Sequence, residues 1–107
     1  MTLSEFQRQQ KIWADHNFPG NDWTSPMLGL TEELGELAHA LLKQKQKIRG
    51  THAEHEAAAQ DAVGDLMVYL ADLCSKRGWD FQAIVEKTWA HVASRDWIKF
   101  PKNGVTE

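Results

Sequence analysis

The sequence predicts an all-α protein: an antiparallel four-helix bundle that assembles into a dimer or higher oligomer. Three observations carry this expectation. Four segments repeat apolar residues at helical spacing, and short turn-rich stretches separate them. No segment sustains the alternation of a strand. The helices also carry more apolar positions than one small bundle can bury, and large exposed apolar patches mark interfaces. At 107 residues the chain makes a single domain, 1–107, with a short tail from about residue 98.

The first helix spans 3–16, with Ser4 as N-cap and Phe6, Gln9 or Gln10, and Trp13 at helical spacing. Turn residues crowd 17–22 and end it. Ser25 then caps the second helix, with Pro26 at its first position, where a missing N–H costs nothing. Met27, Leu30, Leu34, Leu37 and Leu41 form its stripe, and Glu33 and Glu36 flank that stripe at the edge of a buried surface. A basic run follows, Lys43, Lys45, Lys47 and Arg49, up to Gly50. It reads either as a solvated helix end that complements the dipole or as a phosphate-attracting rim. Thr51 and Glu54 make a capping box for a third helix from about 52 to Arg77, closed by Gly78. Its stripe is Ala59, Val63, Leu66, Leu70 and Leu73. Asp80 caps a fourth helix that ends near Trp97, with Phe81, Ile84, Val85, Thr88 and Val92 inward.

A net charge of −3 excludes the basic balance expected of a nucleic-acid or membrane-surface binder. No apolar run approaches the ~18 residues of a membrane span, and no signal-peptide pattern opens the chain. The single cysteine, Cys74, rules out an internal disulfide and suits a reducing interior, so a cytoplasmic location is expected. Cys74 itself lies near the apolar stripe and is expected to be buried and inert, and His52, His55 and His91 to be exposed.

Two matched hexads stand out, Glu32-Glu33-Leu34-Gly35-Glu36-Leu37 and Asp61-Ala62-Val63-Gly64-Asp65-Leu66. Each reads acid, any residue, aliphatic, Gly, acid, Leu. Carboxylates four apart share a helix face and destabilise the helix by a few tenths of a kcal/mol per pair, which a cation would offset. Gly35 and Gly64 would let the two helices approach closely. If the hexads face one another, up to five carboxylates enter one space. Hard oxygen donors without Cys or an obligatory His select Mg²⁺ or Mn²⁺ over zinc. Magnesium held by carboxylates takes its remaining ligands from waters and phosphates, so phosphoanhydride hydrolysis is the natural chemistry.

The runs T-E-E-L-G-E-L-A and D-A-V-G-D-L-M-V-Y-L, with Glu86–Trp89 and Ser94–Trp97, resemble the MazG-like nucleotide pyrophosphohydrolases of the all-α NTP pyrophosphatase superfamily. The resemblance covers roughly residues 25–104. It implies Mg²⁺-dependent hydrolysis of an NTP or dNTP to the monophosphate and pyrophosphate, as nucleotide-pool house-cleaning, on a homodimer or homotetramer. It implies Glu33, Glu36 and Asp65 as metal ligands and Glu32 with Glu33 as catalytic carboxylates. Ala62 stands where the family has the first Glu of E-x-x-D, with Asp61 one residue away as its substitute. It also implies phosphate contacts from Lys87 and Arg95. Lys43 lies on a face adjoining the acids, where a phosphate role competes with a solvated position. Trp13, Trp23 and Trp97 are candidates to stack on a base, or to fill core. A different class of function, a catalytically degenerate metal-binding or protein-interaction module, draws its weight from Ala62.

Overall fold

The computed structural model describes residues 1–107 as four helices and no strand: α1 (Leu3–Asn17), α2 (Thr24–Gln46), α3 (His52–Arg77) and α4 (Phe81–Ala93). No helix is long and apolar enough to cross a membrane. Caps set most of the boundaries. Thr2, not Ser4, begins α1: its hydroxyl accepts the Glu5 N–H at 3.1 Å, and Glu5 accepts the Thr2 N–H in return. The start of α2 is held by Asp22, which accepts the Thr24 N–H at 2.9 Å and the Thr24 hydroxyl, bonds that hold its carboxyl below the usual range. Pro26 is therefore the third helical residue, still within the turn whose N–H groups lack partners, and it is fully buried.

The turn after α2 uses left-handed backbone at Lys47 (φ 59°) and Arg49 (φ 62°). His55 Nε2 lies 2.9 Å from the Ile48 carbonyl and pins this turn, so His55 is buried rather than exposed as expected. Thr51 and Gly78 cap α3 as the sequence predicts, and Asp80 caps α4. That last helix stops at Ala93, short of Trp97. Residues 96–104 then close on themselves, the Asp96 N–H donating to the Gly104 carbonyl at 2.8 Å.

The helix α3 is the hub. It packs against all three others, α1 also meets α4, and α2 packs on α3 alone. Gln7 on α1 staples the α3–α4 turn: its amide donates to the Trp79 carbonyl at 2.8 Å and accepts the Phe81 N–H at 3.0 Å. Ala71, Cys74 and Phe81 form the buried cluster at this junction, with Leu3, Phe6, Met67 and Leu70 packed around it. Along the α2–α3 seam, Arg77 lies over the Trp23 ring, Gly29 meets Tyr69, and Gln44 bonds to His52 and Glu56.

This seam is made of small residues. Gly29 and Ala40 on α2, and Ala59 and Ala62 on α3, are buried. The buried row on α2 is thus displaced by one position from the expected stripe, and Met27, Leu34 (59% exposed) and Leu41 face outward. On α3, Val63 does the same. On α4 only Phe81 of the expected inward face is buried, while Ile84, Val85 and Val92 are exposed. Nor do Gly35 and Gly64 mediate a close approach, since a Cβ on either would meet open space. The close approach occurs at Gly29, where a Cβ would lie within the Tyr69 ring. Gly29→Ala should therefore destabilise the protein by about 1–3 kcal/mol, the usual cost of overpacking. Urea unfolding checks this, and a Gly29→Ala midpoint equal to wild type would mean the seam yields freely.

Candidate functional site

The middle turns of α2 and of α3 carry the acids. Carboxylate oxygens of Glu32, Glu33 and Glu36 all lie within 4.8 Å of one another. Glu32 and Glu36 are exposed, whereas Glu33 points into the small-residue seam and is 7% exposed. Its Oε2 is buried and has no hydrogen-bond partner. Such an orphan costs more than an average hydrogen bond contributes, so a group left this way calls for an explanation. Burial pushes the Glu33 carboxyl up to about 7; hydrogen bonding of its protonated form to Glu36 and the charges of Glu36, Asp65 and Glu32 add to the rise. Burial likewise raises the Tyr69 hydroxyl, helped by Glu32, Glu33, Asp65 and Asp72. Asp65 lines the same cleft as Glu33 but lies outside the group of three whose oxygens come within 4.8 Å. Asp61 is exposed one helical turn earlier and does not figure among the groups acting on Glu33. Ala62 is buried in the seam.

Glu33 and Asp65 open onto a cleft of about 420 Å³. Its walls are Gln10, Trp13 and Ala14 of α1, Phe18 and Asn21 of the following turn, Ser25 and Pro26 of α2, and Val68, Tyr69, Asp72 and Lys76 of α3. Asp65, Asp72 and Lys76 recur at steps of seven and four, so one face of α3 runs roughly 16 Å along the cleft. Asp72 and Lys76 form an ion pair at 2.5 Å, both side chains largely buried. Gln10 is 7% exposed, and its Oε1 is the second buried side-chain atom without a partner.

Of the three candidate stacking tryptophans, only Trp13 lines this cleft, edge-on to Phe18 at 5.8 Å between centroids. Trp23 lies under the Arg77 guanidinium, and Trp97 under that of Arg95. Arg95 also packs against Gly104, where a Cβ would meet its side chain at 2.7 Å. Lys87 is exposed on α4, and Lys43 is half-buried and donates to Gln46 at 2.9 Å; neither lines the cleft. Sequence reasoning passed over Asp72 and Lys76. Their i, i+4 spacing looks like an ordinary helix-surface pair, and only the packing of α1 over α3 buries it.

Compared with known proteins, the chain matches no family model, no curated protein and no solved structure.

The Glu33 shift has a thermodynamic consequence. Its ordinary value is 4.5 and its folded value about 7, so between these pH values the folded state holds a proton that the unfolded chain has released. Stability from this group is full below the lower value and is lost as pH rises through the upper one. Without divalent cations, the melting temperature should fall from about pH 5 to about pH 8, and Glu33→Gln should flatten that slope. Thermal scans of both proteins across this range check it; an equally steep profile in Glu33→Gln would assign the slope to another group.

Proposed function

We propose that this chain is a Mg²⁺-dependent nucleoside triphosphate pyrophosphohydrolase of the MazG-like type, releasing monophosphate and pyrophosphate from an NTP or dNTP. The observation that carries the reading is Glu33: a buried carboxylate with an unpartnered oxygen, grouped with Glu32 and Glu36, that lines a cleft of about 420 Å³ together with Asp65. This donor set fits Mg²⁺, or Mn²⁺, which takes oxygen ligands and is held by a few carboxylates. When bound, the cation supplies polarisation of a phosphoryl oxygen and a more acidic water. Glu33, Glu36 and Asp65 hold it in this reading, with Asp61 joining from one turn away on nearly the same side of α3 as Asp65. Glu32, exposed beside them, takes the proton of the water that adds across the bond between the α and β phosphates. Trp13 offers its face to the base. Lys76 lines the cleft but is paired with Asp72, roughly 16 Å along α3 from Asp65, so phosphate contacts from Lys87, Arg95 and Lys43 rest on the resemblance alone.

The proposal extends to assembly as a homodimer or homotetramer. The chain exposes 7935 Å², where a folded monomer of 12.2 kDa exposes about 6,100 Å². The excess of roughly 1,800 Å² is what one chain buries in an obligate dimer. The radius of gyration is 17.6 Å against about 13 Å for a globule of this length. A second copy of the chain is the occupant that fits, because Met27, Leu34 and Leu41 recur every seven residues along α2 and are exposed, as is Val63 on α3. Two such pairs, packed face to face, make an antiparallel four-helix bundle with the large side chains inside.

Two experiments test these proposals. With a panel of nucleotides and Mg²⁺, Glu36→Gln should abolish pyrophosphate release with helical content unchanged. Asp61→Ala should raise the half-saturating Mg²⁺ at least about tenfold, or 1.4 kcal/mol. More than a tenth of wild-type kcat in Glu36→Gln would sink the assignment, and an Asp61→Ala titration that overlays wild type would remove Asp61 from the ligand set. For assembly, sedimentation should give at least two 12.2 kDa chains per particle, and Leu34→Glu with Leu41→Glu should dissociate it. A wild-type protein that sediments as a single chain at micromolar concentration refutes the assembly.

A further inference from the structure

The cleft holds a group that the carboxylate chemistry does not use. Gln10 lies on α1 with its side chain nine-tenths buried, and it lines the cleft beside Trp13. Its Oε1 is fully buried and accepts no hydrogen bond. The neighbouring glutamine one turn earlier, Gln7, behaves differently: both ends of its amide are used in holding the α3–α4 turn. Gln10 therefore does no such stapling. A Leu or Met would fill the same space without an orphaned acceptor, so packing does not explain an amide here.

We propose that Gln10 reads the base of the nucleotide, its Oε1 accepting an N–H from the edge of a ring stacked on Trp13. The inference rests on the nucleotide reading of the cleft and adds the specificity-determining residue. Trp13 and Gln10 are three apart on α1, so ring face and ring edge would be met from one side of one helix. The carboxylates Glu33 and Asp65 line the same cleft and belong to the phosphate side of the ligand. An unpartnered acceptor discriminates strongly: a base that presents an N–H satisfies it, and one that presents another acceptor leaves both buried and unpaired. The ligand class is a nucleotide whose base carries an exocyclic amino group or a ring N–H at that edge.

The test uses deoxynucleoside monophosphates, which need neither a cation nor turnover. Calorimetric titration of the full chain with the four monophosphates should rank them by base. Gln10→Leu and the closer-shaped Gln10→Met should weaken the tightest one about tenfold and compress the spread among the four. A deamino analogue of the preferred base, if that base carries an amino group, should bind wild type as weakly as the parent binds Gln10→Leu. Both variants should melt at or above the wild-type temperature, because an orphaned acceptor has been removed; a loss of binding with an unchanged or raised melting temperature is thus not a folding defect. If either folded variant keeps the wild-type ranking, or if no monophosphate binds wild type, the inference is overturned. Triphosphate hydrolysis with an unaltered base preference in Gln10→Leu would overturn this inference and leave the enzyme assignment standing. Gln10-dependent monophosphate binding without any hydrolysis would do the reverse.

Discussion

The close contact between α2 and α3 governs what the rest of the molecule can do. Gly29 against Tyr69, and the buried Ala40, Ala59 and Ala62 further along, bring the two helices close together. Glu33 sits in this row, where the neighbouring turns offer Gly and Ala. A carboxylate there has little water and, at Oε2, no donor. It resolves the conflict by holding its proton to about pH 7. A cation among Glu32, Glu33, Glu36 and Asp65 would resolve it differently, by replacing the proton with a stronger counter-charge. The burial that raises the Glu33 carboxyl is the same burial that leaves its Oε2 without a donor.

The same contact fixes the outer surface. Once the small residues take the inside of the seam, helical periodicity sends Met27, Leu34, Leu41 and Val63 to the other side. Aliphatic surface of that extent is unfavourable in water, at about 25 cal/mol per Å². The α4 helix stands in a similar position, tied down through Phe81 but exposing Ile84, Val85, Trp89 and Val92. The large apolar side chains of α2 and α4 therefore lie on the outside of the single chain, while the polar cleft lies within it.

Much of the fold was legible in the sequence because local signals set it. Thr51, Gly78 and Asp80 cap where side-chain and backbone chemistry say they must, and four amphipathic segments become four helices. What was not legible depends on which face of a helix meets which neighbour. The apolar stripe of α2 reads as the inward face if the chain is assumed to bury its large residues within itself. Small residues carry too weak a periodic signal to contest that reading, though they line the seam. The hexad glycines misled for a related reason: Gly35 and Gly64 meet open space, while Gly29, outside the hexad, makes the contact. Around the cleft, the acids Glu32, Glu33, Glu36 and Asp65 were singled out from spacing along single helices, and the first three lie together. Gln10, Asp72 and Lys76 were not, because their burial comes from α1 crossing α3, a contact between residues about sixty positions apart that no local pattern records.

The two buried side-chain atoms without partners, Glu33 Oε2 and Gln10 Oε1, belong to residues of one cleft. In a chain whose other buried polar side chains are paired (His55 to a carbonyl, Asp72 to Lys76), that coincidence is informative. Each orphan lowers the stability of the free protein, and each would be satisfied by a different part of one ligand: an acid by a cation with its phosphates, an amide oxygen by an N–H of a ring. A nucleotide carries both parts, joined through its sugar. A ligand that satisfied both atoms would gain the free energy that folding left unrecovered.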